Sequence, residues 1–69
     1  MFINIEIERI RRHMSRAALA RKLDTNVAVL DDWIHLRRAI PACKLRALSL
    51  LFDGCSIDYL LKAMRRLGA

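Results

Sequence analysis

Apolar side chains recur at helical spacing along almost the whole chain. Ile7, Ile10 and Met14 share one face of a predicted first helix, with Arg9, Arg11, Arg12 and His13 on its other faces. Ahead of it, Ile3, Ile5 and Ile7 alternate with Asn4 and Glu6. That pattern fits an early helix start capped by Asn4 or a short strand, and the helix start is the expectation. Ser15 caps a second helix ending near Leu23, whose Ala17, Ala18 and Ala20 favour helix and let another helix approach. Asp24 stands where the chain must turn, and Asp tolerates the left-handed conformation. Asn26 caps a third helix running to about His35, with Val29, Leu30, Trp33 and Ile34 on its buried edge. Pro41 suits the first turn of a fourth helix carrying Leu45, Leu48, Leu51 and Phe52. That helix stops at Gly54, a predicted left-handed cap. Ser56 caps a fifth helix with Ile57, Leu60, Leu61 and Met64 on one side and Lys62, Arg65 and Arg66 in its second half. The expected fold class is therefore all-α, a compact five-helix bundle spanning residues 1–69 as one domain.

Sixty-nine residues lie near the lower limit for folding without disulfide or metal staples. The apolar fraction of 55% fills a small core and leaves apolar surface over, which makes a homodimer the expectation. The face expected to pair comprises Phe2, Ile3, Tyr59, Leu60 and Met64, although Tyr59, Leu60 and Met64 fit a core equally well. The net charge of +6, with ten arginines among thirteen basic residues, suits phosphate or an acidic protein partner.

Cys43 and Cys55 are too few for a disulfide framework and lack zinc-site spacing. His13 and His35 have no neighbours in sequence that point to metal or acid–base work, and both are read as surface residues. No nucleophile set and no phosphate-cradling glycine loop is present, so neither an enzyme nor a cofactor is expected. No apolar run approaches the roughly 20 residues that cross a bilayer. The N-terminus lacks the basic-then-apolar order of a signal peptide. The expectation is a cytoplasmic protein.

The order Met14 to Leu23, Leu30-Asp31-Asp32-Trp33, Arg37 to Pro41 and Leu51 to Leu61 resembles the Cro/C1-type helix-turn-helix family of phage and bacterial regulators. The Trp-Ile-x-x-x-Arg-x-Ile-Pro run from Trp33 to Pro41 is most similar to the Cro-like branch, with one extra residue in the loop. The resemblance implies a lambda-repressor/Cro-like fold whose third helix enters the major groove. By position, it implies base-facing roles for Val27, Ala28 and Asp31. Arg16 and Asn26 stand at the helix starts, and Arg37 and Arg38 hold phosphates.

The third helix departs from that pattern. Val27 and Ala28 offer no hydrogen-bond donors to base edges, where bidentate contacts give about 1–3 kcal/mol of discrimination each. Asp31 and Asp32 place negative charge beside the phosphates that dominate affinity. The glycine usual after the third helix is absent, and Leu36 stands near its place. Two functions follow. One is a small phage-type regulator that binds and inhibits a host protein through Arg16, Val27, Ala28, Asp31, Asp32 and Leu36. In size and character the chain is similar to small phage-encoded anti-activators, a resemblance that implies a quorum-sensing LuxR-type transcription activator, met at its DNA-binding domain. The alternative is a sequence-specific operator-binding repressor using Arg16, Asn26, Ala28, Arg37 and Arg38. For Asp31 and Asp32, a pair offsetting the chain's own arginines remains open beside a partner's Arg or Lys.

Overall fold

The computed structural model describes residues 1–62. Among them five helices run in order: α1 (Ile3–Arg11), α2 (Arg16–Lys22), α3 (Val27–Ile34), α4 (Ala42–Leu51) and α5 (Ile57–Leu60). The expected Met64, Arg65 and Arg66 of the fifth helix lie outside the described residues.

Three helix starts follow from one polar side chain each. Ser15 Oγ accepts from the Ala18 N–H, Asn26 Oδ1 from Val29 and Ser56 Oγ from Tyr59. Each satisfies a backbone donor that the first helical turn leaves without a partner. Pro41 stands one residue before α4, as its N-cap. Asn4 does not cap α1: Phe2 holds that position, and the Asn4 amide donates instead to the Tyr59 carbonyl at 2.8 Å.

Four helices end in the same way. His13, Asp24, Leu36 and Asp53 take left-handed backbone angles (φ 54°, 56°, 60° and 56°). The next N–H in each case bonds the carbonyl five residues back: Met14 to Arg9, Thr25 to Ala20, Arg37 to Asp32 and Gly54 to Ser49. This closure satisfies carbonyls that the helix end leaves open. The expected glycine cap of α4 is displaced by one position. Asp53 takes the first left-handed place, and Gly54 follows it with φ 80°.

Ile5, Leu19, Leu23, Leu30, Ile34, Leu48, Phe52 and Leu60 are fully buried, with Ala20 and Trp33 beside them. This core joins α2 to α3 and packs α1 against both α3 and α5. The N-terminus is tied to the end of α3, where the Phe2 N–H donates to the Ile34 carbonyl at 2.8 Å.

The first helix inverts the expected faces. Ile10 is 60% and Ile7 39% exposed, while Ile5, Glu6 and Glu8 are buried. Met14 lies beyond the end of α1 and packs against the core from there. Two carboxylates go inward because arginines meet them there. Glu6 accepts from Arg9 Nε at 2.6 Å and Arg16 Nε at 3.0 Å. Glu8 accepts from Arg12 Nη1 at 2.6 Å and from the Tyr59 hydroxyl at 2.8 Å. Burial pushes the Glu6 carboxyl up, but the bonds from Arg9 and Arg16 outweigh it and hold the group below its ordinary range. For Glu8 the Arg12 bond is the largest influence, the Tyr59 bond adds to it, and the result is again downward. Arg12 also lies over the Phe52 ring, 4.9 Å from its centroid.

Candidate functional site

The α2–α3 pair and the loop after it carry a continuous line of opposite charges. Arg16, at the start of α2, reaches from the Glu6 carboxylate to Asp31 on α3, with Nη1 3.1 Å from Oδ1. The other Asp31 oxygen lies 3.2 Å from Arg37 Nη1, which also stands 3.3 Å from Asp32 Oδ1. Arg38 Nη2 lies 3.7 Å from Asp32 Oδ2, an ion pair longer than a hydrogen bond. His35 stands beside this line. Its Nδ1 is 2.9 Å from the Asp31 carbonyl and 3.3 Å from its carboxylate. His35 is thus half-buried and engaged, not the free surface residue expected.

The chemical result is a face whose cations are already answered. Arg16 and Arg37 would have to exchange a carboxylate of their own chain for a phosphate, and like-for-like exchange gains little, while Arg38, among the described residues, is held only by its long ion pair to Asp32. The basic balance resides elsewhere. Among the described residues, Arg21, Lys22, Arg46 and Lys62 make no ion pair. Lys44 turns its ammonium to the Leu23 carbonyl at 2.7 Å.

Beside the ion line lies an apolar surface. Val27 and Ala28 open α3 and are both exposed, as is Leu36 at 51%. Leu36 has no polar side chain to support its left-handed backbone, a conformation that costs an L-residue about 1–2 kcal/mol. An apolar side chain is therefore held outward at a position where glycine would sit without strain.

The structure places the expected residues unevenly. Arg16, Asp31, Asp32, Arg37 and Arg38 come together, and Val27, Ala28 and Leu36 stand exposed on the same helix and its C-terminal turn. Asn26 is occupied as a cap through its Oδ1. The expected pairing face is corrected in part. Leu60 is 0% exposed and belongs to the core, because α5 packs onto both α1 and α4. Tyr59 is half-buried with its hydroxyl on Glu8. Phe2 and Ile3 are half-buried, and Met64 lies outside the described residues. Sequence reasoning missed the inward roles of Glu6 and Glu8. Their i, i+3 and i, i+4 spacing to Arg9, Arg11 and Arg12 signals the local pairs, but not the burial that Arg16 and Tyr59 decide.

The chain matches no family model, no curated protein and no solved structure. Among the described residues, no helix is long and apolar enough to cross a membrane.

Proposed function

We propose that this chain is a protein-binding inhibitor built on a helix-turn-helix scaffold, with the exposed face of α3 and Leu36 as its contact surface. Its partner, as the resemblance to phage anti-activators implies, is a host transcription activator of the LuxR type, engaged at the DNA-binding domain. The observation that carries this reading is the intramolecular pairing of Arg16, Arg37 and Arg38 with Asp31 and Asp32 beside an apolar, donor-free Val27-Ala28 start to α3. Such a surface suits a desolvated protein contact better than a phosphate backbone. Asp31 and Asp32 side chains stay 31% exposed at the edge of this face. Masking a DNA-reading surface in this way blocks transcription with no bond made or broken. The apolar surplus, including Ile7 and Ile10, makes a homodimer part of the same proposal.

A second reading, an operator-binding repressor, draws support from the outward Arg37 and Arg38 side chains, more than half exposed. Affinity capture from the natural host, run beside selection from a randomised duplex pool, separates the two. The inhibitor reading expects a transcription regulator in the capture, lost with Ala28→Glu, and no enriched duplex. An enriched operator with no captured protein would establish the repressor instead.

A further inference from the structure

A second surface lies round the corner from the α3 face, where the N-terminus, the α3–α4 loop and the end of α5 meet. It is a groove of about 390 Å³ walled by Phe2, Leu36, Ile40, Leu45 and Leu61. Arg38 lines it too, with a side chain 58% exposed. Its ion pair to Asp32 is long, at 3.7 Å, and among the described residues the guanidinium makes no hydrogen bond, so its donors can turn to a ligand. Exposed Lys62 directly follows the groove residue Leu61 and has no ion pair among the described residues. Among the described residues, no acidic side chain lines the groove. The site is thus apolar inside and positive at its edge.

We infer that this groove receives an acidic amphipathic helix of a protein partner, its apolar anchors between Leu36, Ile40 and Leu61 and a carboxylate on Arg38. Charge complementarity selects that occupant: an Arg–carboxylate pair at the mouth supplies direction that apolar walls lack. A second copy of the chain fits less well. Its net charge is +6, and exposed Arg11 stands beside its exposed Ile10. Strand addition has no edge to join, since the described residues form no strand. This inference rests on the protein-binding reading and adds to it a second contact, next to the α3 face, and the kind of element bound there.

The test is an amide-proton NMR titration of the full chain. The probe is a peptide of about 15 residues, long enough to hold a helix, with Leu at i, i+4 and i+7 and Glu between them. A counterpart carries Lys at each Glu. The acidic probe should bind roughly tenfold tighter or better, the worth of one charge-assisted pair. Its shifts should fall on Phe2, Leu36, Ile40, Leu45 and Leu61. Arg38→Glu, at an exposed position, should reverse the preference while leaving the unfolding midpoint near its starting value. Equal affinity for both peptides overturns the inference, and so do shifts confined to Val27 and Ala28 or to Ile7 and Ile10. Groove signals that move with chain concentration alone also overturn it, in favour of a second copy. Failure here and failure of the proposed function look different. A host regulator still captured by the Arg38→Glu chain and lost with Ala28→Glu defeats only the groove, whereas no capture by the unaltered chain defeats the protein-binding reading.

Discussion

Converting Asp31 and Asp32 to Asn should turn the α3 face into a phosphate-binding surface. In the folded chain these two carboxylates hold Arg37 at 3.2 and 3.3 Å and Arg38 at 3.7 Å, and Arg16 is shared between Asp31 and Glu6. Asparagine keeps the shape and removes both charges. Arg16 stays on Glu6, so the cations set free are Arg37 and Arg38. Two added phosphate contacts steepen the dependence of log K on log salt by about 1.8. Between about 50 and 200 mM salt, that difference alone is roughly tenfold in affinity. The stability cost is small, about 1 kcal/mol, because the lost pairs are partly solvated. The assay is fluorescence anisotropy of a labelled duplex of arbitrary sequence, titrated at several salt concentrations with both chains. The unaltered chain should give the shallower slope. If its slope is already steep and the double variant leaves it unchanged, the arginines were never occupied by the aspartates, and the electrostatic case against DNA reading collapses.

Leu36→Gly removes a left-handed strain of about 1–2 kcal/mol but loses half a leucine's burial and adds glycine's chain entropy. Stability should therefore change by no more than about 1 kcal/mol in chemical denaturation, while partner capture falls. Leu60→Ala should cost about 2–5 kcal/mol as a core cavity; a change below about 1 kcal/mol would return Leu60 to the surface. Glu6 and Glu8 titrate below their ordinary 4.5 in the folded chain. Their contribution is complete above that value and disappears as pH falls through the lowered folded values. Glu6→Gln and Glu8→Gln should each lower the thermal midpoint at neutral pH and flatten its acid-side decline; an unchanged acid limb contradicts the pairing. The Tyr59 hydroxyl is held above its ordinary 10.0, chiefly by its bond to Glu8. Stability from that bond is present below pH 10.0 and declines as pH rises through the raised folded value, so Tyr59→Phe should blunt the alkaline limb of the same curve.

The helices were legible where one residue dictates local geometry. Ser15, Asn26 and Ser56 cap as their chemistry requires, and Asp24 takes the left-handed turn. The buried edge of α3 also follows its period, with Leu30, Trp33 and Ile34 inside and Val29 half-buried. The first helix was not legible because its decisive partners are distant. Glu6 meets Arg16 ten residues away and Glu8 meets Tyr59 fifty-one away, and those bonds turn the carboxylates inward and leave Ile7 and Ile10 outside. Leu60 was ambiguous for a related reason: only the packing of α5 on α1 and α4 decides between core and surface. At the candidate site, residue types and order were visible from Arg16 to Arg38. The closure of Asp31 onto Arg16 and Arg37 at once depends on the α2–α3 angle and the turn at Leu36, which no local pattern encodes. The groove joins Phe2, Ile40, Leu45 and Leu61 from four separate segments and left no trace in spacing.

The most direct test of the central claim is competition at near-physiological salt between the captured regulator's DNA-binding domain and a duplex carrying that regulator's own site. If the α3 face masks a DNA reader, adding this chain should release the duplex stoichiometrically. Ala28→Glu should abolish the release, and the chain alone should show no preference for any sequence. A chain that leaves the regulator on its site, yet selects one duplex from a random pool, would contradict the account.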